Sequence, residues 1–112
     1  MSLIPKDVEE ALRKTEELTV QHKETILNVC ICYSSKDEIS EALAQRPKTV
    51  GEFESHLLGG YNIKPDIVVR TSGEVRLSNF MLYQTQESHH AFIQTLWPDF
   101  SLWDFLKILM DY

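Results

Sequence analysis

The spacing of apolar positions changes several times along the chain, and each change predicts an element. Val8, Ala11, Leu12, Thr15 and Leu18 recur at helical spacing, which predicts an amphipathic helix from Lys6 to about His22 with its acidic side in water. Pro5 suits its first turn, and Asp7, Glu9 and Glu10 stand near its positive end. Ile26 to Tyr33 reads as a buried strand. Ser35 with Glu38, Thr49 with Glu52 and Ser101 with Asp104 each have the spacing of a reciprocal helix cap. The first helix runs through Ile39, Ala42 and Leu43 to a stop at Pro47, and the second through Phe53, Leu57 and Leu58 to Gly59 and Gly60. The third buries Leu102, Phe105, Leu106 and Leu109. Between them, Tyr61 to Pro65 is a loop, and Ile67, Val68 and Val69 form a strand covered on both faces, as in a parallel sheet. Ala91 to Leu96 is a further strand that turns at Trp97 and Pro98, with Trp97 and Trp103 read as packing residues. The fold class is α/β, a mainly parallel sheet layered with helices.

Composition narrows the picture. One hundred and twelve residues with 43% apolar content fit one domain, or part of one. A net charge of −6 argues against a general nucleic-acid binder. No apolar run is long enough to cross a membrane and the start does not read as a signal peptide, so membrane contact would come through a surface or a partner. Cys30 and Cys32 form C-x-C without a second ligand pair at metal-site spacing, and read as reduced thiols in an apolar strand.

Candidate chemistry concentrates where the Ile67–Val69 run ends. Arg70, Thr71, Ser72, Gly73, Glu74, Arg76 and Ser78 gather two guanidinium groups, three hydroxyls, a glycine and a carboxylate beyond the carboxyl end of a strand, where open α/β sheets bind ligands. Arginine forks hold phosphate oxygens bidentately, and hydroxyls and backbone N–H groups add donors where Gly73 admits close approach. Glu74 would orient an arginine or help hold Mg2+. Spacing alone leaves two readings open, an anion site or a solvated Arg70–Glu74 ion pair. At the other strand-to-helix junction, a capped helix start accounts for Ser35 and Glu38. Glu87, Ser88, His89 and His90 lack the i, i+4 geometry of a helical metal pair.

The run RTSGEVRLSNFMLYQ, Arg70 to Gln84, followed by LWPDF at Leu96 to Phe100, closely resembles the C-terminal signature of the cis-prenyltransferases, particularly the eukaryotic dehydrodolichyl diphosphate synthase branch. SLIPKDV at Ser2 to Val8, Glu16 with Thr19, and LNVCICYSSKDEI at Leu27 to Ile39 resemble earlier blocks of that family in the same order, so the resemblance covers essentially the whole chain. Tyr83 stands where the family usually has tryptophan. His89 stands where bacterial members carry a second Mg2+-associated glutamate, which fits the eukaryotic branch.

The resemblance implies the C-terminal portion of the cis-prenyltransferase fold. The activity it implies is condensation of isopentenyl diphosphate onto an allylic diphosphate such as farnesyl diphosphate, with Mg2+ as cofactor, towards dolichol. Arg70, Arg76 and Ser78 match residues that bind isopentenyl diphosphate, and Ser72 lies in the same loop. Glu74 would support the arginines or the Mg2+ shell, and Tyr33 and Ser34 would line the cleft. No catalytic residue is assigned, because nothing here matches the family's Asp-Gly-Asn-Arg-Arg block, and the Arg-x-Gly tail is absent. The resemblance further implies homo- or hetero-oligomers with a prenyltransferase subunit and the cytosolic face of the endoplasmic reticulum membrane. Two expectations follow: a prenyltransferase lacking its N-terminal catalytic half, or a non-catalytic association fragment. The intact RTSGE-x-RLS run favours the first.

Overall fold

Helix formation follows the caps and the periodicity. The computed structural model describes residues 4–57 and 64–112 of a chain that divides into two compact units, Met1–Cys32 and Tyr33–Tyr112. In the first unit, α1 spans Lys6–Thr19, with Pro5 at its N-cap and Asp7 and Glu9 in its first turn. Its acidic side is solvated, and Arg13 forms an exposed pair with Glu9 one turn earlier, at 2.9 Å. The apolar stripe is solvated too: Val8 and Leu18 are exposed, and no residue of the helix is buried. The expected strand from Ile26 to Tyr33 does not form. Apolar β-branched residues give strand propensity, but a strand exists only when a neighbour completes its ladder. Ile26, Leu27, Val29 and Ile31 are exposed, Leu27 to 86%, and Cys30 and Cys32 are free but exposed rather than buried.

In the second unit, α2 spans Ser35–Ala44, α3 Val50–Ser55, β1 Ile67–Arg70, β2 His89–Phe92 and α4 Leu102–Asp111, with a 3-10 turn at Trp97–Asp99. Helix α2 buries Ala42 and, unexpectedly, Ser35 and Glu38, and it ends as Gln45 caps it and Arg46 turns to a positive φ of 55° before Pro47. Thr49 caps α3 by accepting from the Glu52 amide at 3.1 Å, while the Glu52 carboxylate accepts from the Lys48 amide at 2.6 Å. The helix ends at Ser55, with His56 exposed and Leu57 buried. The expected stop at Gly59 and Gly60, Leu58 and the start of the loop at Tyr61 lie outside the described residues, as do Ser2 and Leu3 of the first block.

Strands β1 and β2 pair in parallel, Ile67 opposite His89 through Arg70 opposite Phe92. His89 N–H donates to Asp66 O at 2.8 Å and Ile93 N–H to Arg70 O at 2.9 Å, extending the ladder at both ends. The parallel pairing agrees with the sequence. The strand is only half-buried along its length, because the sheet has two strands among the described residues. Parallel strands need a crossover of a dozen or more residues, usually a helix. Here the crossover is residues 71–88, turns and bends without a helix, so the arginine-bearing run is itself the connection. Strand β2 starts two residues earlier than the apolar run suggests. His90 Nε2 donates to the Thr85 carbonyl at 2.9 Å, and the His89 ring meets Tyr112 edge-on at 5.9 Å, so both histidines are accommodated half-buried.

Helix α4 opens with a complete reciprocal cap, Ser101 Oγ accepting from the Asp104 amide and Asp104 Oδ2 from the Ser101 amide at 3.0 Å. Its apolar side is not buried as expected: Ile108 is buried, but Leu102, Phe105, Leu106 and Leu109 are exposed, and Trp97 and Trp103 are 74% and 72% exposed. A two-stranded sheet offers a narrow face, so these side chains have no layer of the described residues to pack against.

The Asp104 cap gives a pH prediction. Hydrogen bonds from the Ser101 hydroxyl, then from its amide, hold the Asp104 carboxyl below its ordinary value of 3.8. A depressed folded value contributes stability that is present above the unfolded value and lost as pH falls through the folded one. The gap in melting temperature between wild type and Asp104→Asn is therefore expected at full size above the ordinary carboxylate range and to close as pH falls below it. A gap independent of pH over that range would remove the charged cap from the account.

Candidate functional site

The carboxyl end of β1 delivers Arg70 directly into the crossover. Its Nη1 donates to the Arg76 carbonyl and to Ser78 Oγ, the latter at 2.9 Å, so one guanidinium arm ties the start of the loop to its far side. Arginine carries five N–H donors in a planar fork, which leaves further donors of the same group for an anion. Arg76 Nη1 pairs with Glu74, on the exposed surface of the loop. The alternative Arg70–Glu74 pair is thus not what forms, since Glu74 serves Arg76 and Arg70 serves the loop. Among the expected residues, Arg70, Arg76 and Ser78 are brought together, with Glu74 beside them.

Ser72 and Gly73 shape the start of the loop through their backbone. Both sit at positive φ, 71° and 72°, and their amides are already used: Ser72 N–H donates to Thr95 O at 2.9 Å and Gly73 N–H to Ile93 O at 2.8 Å. These amides fasten the loop to the segment after β2 rather than face an anion. Glycine at 73 is required twice over, since a Cβ there would lie 2.5 Å from Gln94 Oε1.

The second half of the loop is strained. Ser78, Asn79 and Met81 have φ values of 47°, 63° and 44°. Left-handed backbone at a residue other than glycine costs on the order of 1 kcal/mol or more, least at Asn. The residues that offset this come from the α2 junction. Ser35 N–H donates to Asn79 O at 2.9 Å, Asn79 Nδ2 to Ser34 Oγ at 2.7 Å, and Leu82 N–H to Ser35 Oγ at 2.9 Å. The Tyr33 ring stands edge-on to Phe80 at 5.5 Å, and its hydroxyl donates to Glu38 Oε2 and lies 3.1 Å from Ser35 Oγ. Gln84 Nε2 donates to Glu38 Oε1 at 2.9 Å. Burial, then the bond to the Glu38 carboxylate, pushes the Tyr33 hydroxyl above its ordinary value of 10, so it remains a protonated donor at neutral pH.

Tyr33 and Ser34 therefore stand next to the loop. Sequence reasoning missed Ser35 and Glu38 as parts of the same structure. Ser35 is 1% exposed and Glu38 4%, and the N-cap position belongs to Ser34, without a side-chain cap bond. The signal available was a Ser-x-x-Glu spacing, which a local cap explains equally well. A second strut lies further along, where Tyr83 OH donates to Glu54 Oε1 at 3.0 Å and its ring meets Phe53 at 5.1 Å.

The same donor set bears on magnesium. Mg2+ takes oxygen ligands in near-octahedral geometry. Among the described residues no group of three or more His, Cys, Asp or Glu could hold a metal, and the loop's two carboxylates are each paired with a cation, Glu74 with Arg76 and Glu87 with Lys64. The donor set therefore does not fit a resident metal of this loop. The arrangement is suited to gripping an anion by fixed N–H and O–H donors.

Residues 1–112 match the family described as "Putative undecaprenyl diphosphate synthase". The chain is 32% identical over 124 residues to the human dehydrodolichyl diphosphate synthase complex subunit, spanning 100% of this chain and 37% of that protein. It is 37% identical over 122 residues to the tritrans,polycis-undecaprenyl-diphosphate synthase (geranylgeranyl-diphosphate specific) of Pyrococcus horikoshii, spanning 98% of this chain and 46% of that one. Its backbone follows lavandulyl diphosphate synthase from Lavandula x intermedia, solved in complex with dimethylallyl diphosphate, with a TM-score of 0.89 and 29% identity over 98% of this chain and 52% of that one. A probable undecaprenyl diphosphate synthase from Campylobacter jejuni, at 24% identity and a TM-score of 0.83, supports the fold alone. The chain thus spans about half, or less, of the length of these relatives. The parallel pair, the arginine-bearing crossover and the match over all 112 residues converge, and the chain belongs to the cis-prenyltransferase family of undecaprenyl diphosphate synthase type.

Proposed function

We propose that these residues supply the isopentenyl diphosphate site of a cis-prenyl diphosphate synthase, with Arg70, Arg76 and Ser78 gripping the diphosphate, Ser72 shaping the loop and Glu74 orienting Arg76. The observation that carries this reading is the Arg70 fork, held by Arg76 O and Ser78 Oγ at the end of a parallel strand. In the reaction, the homoallylic carbon–carbon double bond attacks the allylic carbon, a new C–C bond forms, the allylic C–O bond breaks with release of diphosphate, and a proton leaves the condensing unit. This chain's part is to fix one diphosphate so that its double bond faces the other substrate, a gain from orientation and preorganised charge. Magnesium would accompany the diphosphates as their counter-ion; no step is assigned to a metal on this loop. The groups that handle the allylic diphosphate, farnesyl diphosphate or one like it, lie outside these 112 residues in this reading, and so does the tunnel that sets product length.

The finer assignment is a dolichol-forming enzyme of the eukaryotic branch, working beside a prenyltransferase subunit at the cytosolic face of the endoplasmic reticulum. It is supported by His89 in place of the second glutamate and by the likeness to a protein named as a complex subunit. No helix among the described residues is long and apolar enough to cross a membrane; peripheral contact with that membrane is part of the same reading.

Calorimetric titration with isopentenyl diphosphate in magnesium buffer tests the site. Saturable binding is expected for the wild-type chain, falling by about tenfold or more in Arg70→Ala, the scale of losing hydrogen bonds from a charged group. A folded wild-type chain that takes up no isopentenyl diphosphate would sink the proposal.

A further inference from the structure

Glu38 and Ser35 sit at the base of a directed chain of hydrogen bonds that ends in the strained half of the loop. The Leu82 amide can only donate, so Ser35 Oγ accepts from it at 2.9 Å and has its own proton for Tyr33 Oη, 3.1 Å away. Tyr33 in turn donates to Glu38 Oε2, and Glu38 Oε1 takes Gln84 Nε2 at 2.9 Å. Every donor in the chain runs towards the carboxylate, the arrangement in which successive bonds polarise one another in the same sense. The residues it holds, Leu82 and Gln84, follow directly on the positive-φ run of Ser78, Asn79 and Met81. Ser78 is the residue whose hydroxyl meets Arg70. A backbone held in unfavourable dihedrals persists only where its surroundings over-determine it, and this network supplies that determination.

We infer that Glu38, with Ser35, is a positioning residue for the diphosphate loop, which through Tyr33, Leu82 and Gln84 holds Ser78 where Arg70 can meet it. Neither residue touches the anion in this account. The inference rests on the proposed diphosphate site and adds to it a remote pair on a different element.

The test is isopentenyl diphosphate affinity by calorimetry, read beside the melting temperature and amide exchange at Leu82. Glu38→Ala is expected to weaken binding by about tenfold or more, and Ser35→Ala to do so while exposing the Leu82 amide to exchange. Glu38→Gln, which keeps an acceptor for the Tyr33 hydroxyl, should bind within about threefold of wild type, because the bond rather than the charge does the holding. Ile108→Val, a core change on α4, should lower the melting temperature and leave affinity untouched. If Glu38→Ala does not fold, Ser35→Ala decides the matter alone. Wild-type affinity in Ser35→Ala and Glu38→Ala overturns the inference while leaving the site intact. So does affinity that simply follows melting temperature through the whole set, Ile108→Val included. No binding by the wild-type chain instead overturns the site, and this inference with it.

Discussion

Replacing Arg70 by lysine is expected to weaken isopentenyl diphosphate binding almost as much as replacing it by alanine, although the charge is kept. One Nη of Arg70 already serves two acceptors across the loop, the Arg76 carbonyl and Ser78 Oγ, and in the proposed site the rest of the rigid fork meets the diphosphate. A lysine ammonium is a single point on a flexible stem. If it goes to the loop it leaves the anion, and if it goes to the anion the loop loses its tie. The expected loss is about ten- to a hundredfold in affinity, the range for hydrogen bonds to charged groups. Calorimetry of Arg70→Lys beside Arg70→Ala decides it. A lysine variant that binds like wild type would show that charge alone suffices and that the fork geometry is incidental.

The second large effect is on stability. Gly73→Val puts a β-branched side chain at a φ of 72° and its Cβ 2.5 Å from Gln94 Oε1. The left-handed penalty and the contact act together, and relief by backbone movement would stretch the 2.8 Å bond from the Gly73 amide to Ile93 O. The combined destabilisation is expected on the order of 3 kcal/mol, which in a domain of this size lowers the melting temperature by roughly 10–20 °C. Gly73→Asn should fall between, since Asn tolerates the left-handed region and the end of the Gln94 side chain can swing away. Thermal unfolding by circular dichroism reads both. Equal melting of glycine and valine proteins would contradict the backbone conformation at 73.

What the sequence revealed and what it hid divide along a physical line. The helices of α1 and α4, the cap at Ser101 and Asp104, and the parallel strand at Ile67 are all properties of neighbours in the chain, and they were legible. So was the grouping of Arg70, Arg76 and Ser78, which lie within one loop. The Ser35–Leu82 and Glu38–Gln84 bonds join α2 to a loop far along the chain, and the same Ser-x-x-Glu spacing serves a local cap just as well. Ile26–Tyr33 failed as a strand for the related reason that an apolar β-branched run states a propensity but not a partner. Trp97 and Trp103 were read as packing residues because large aromatics usually fill cores, but here the sheet is too narrow to cover them. Recognition of the family came from ordered blocks rather than from any of these elements singly.

The helix-free crossover between β1 and β2 means that the chain cannot zip its parallel ladder without also shaping residues 71–88. The dihedrals an anion would recognise are frozen by the same event that closes the sheet. An occupied site then resists unfolding by mass action: a ligand present at about a hundred times its dissociation constant adds roughly 2.7 kcal/mol. For a sheet this small that is a large share of what holds it. The heat tolerance of this protein should accordingly rise with the concentration of isopentenyl diphosphate around it.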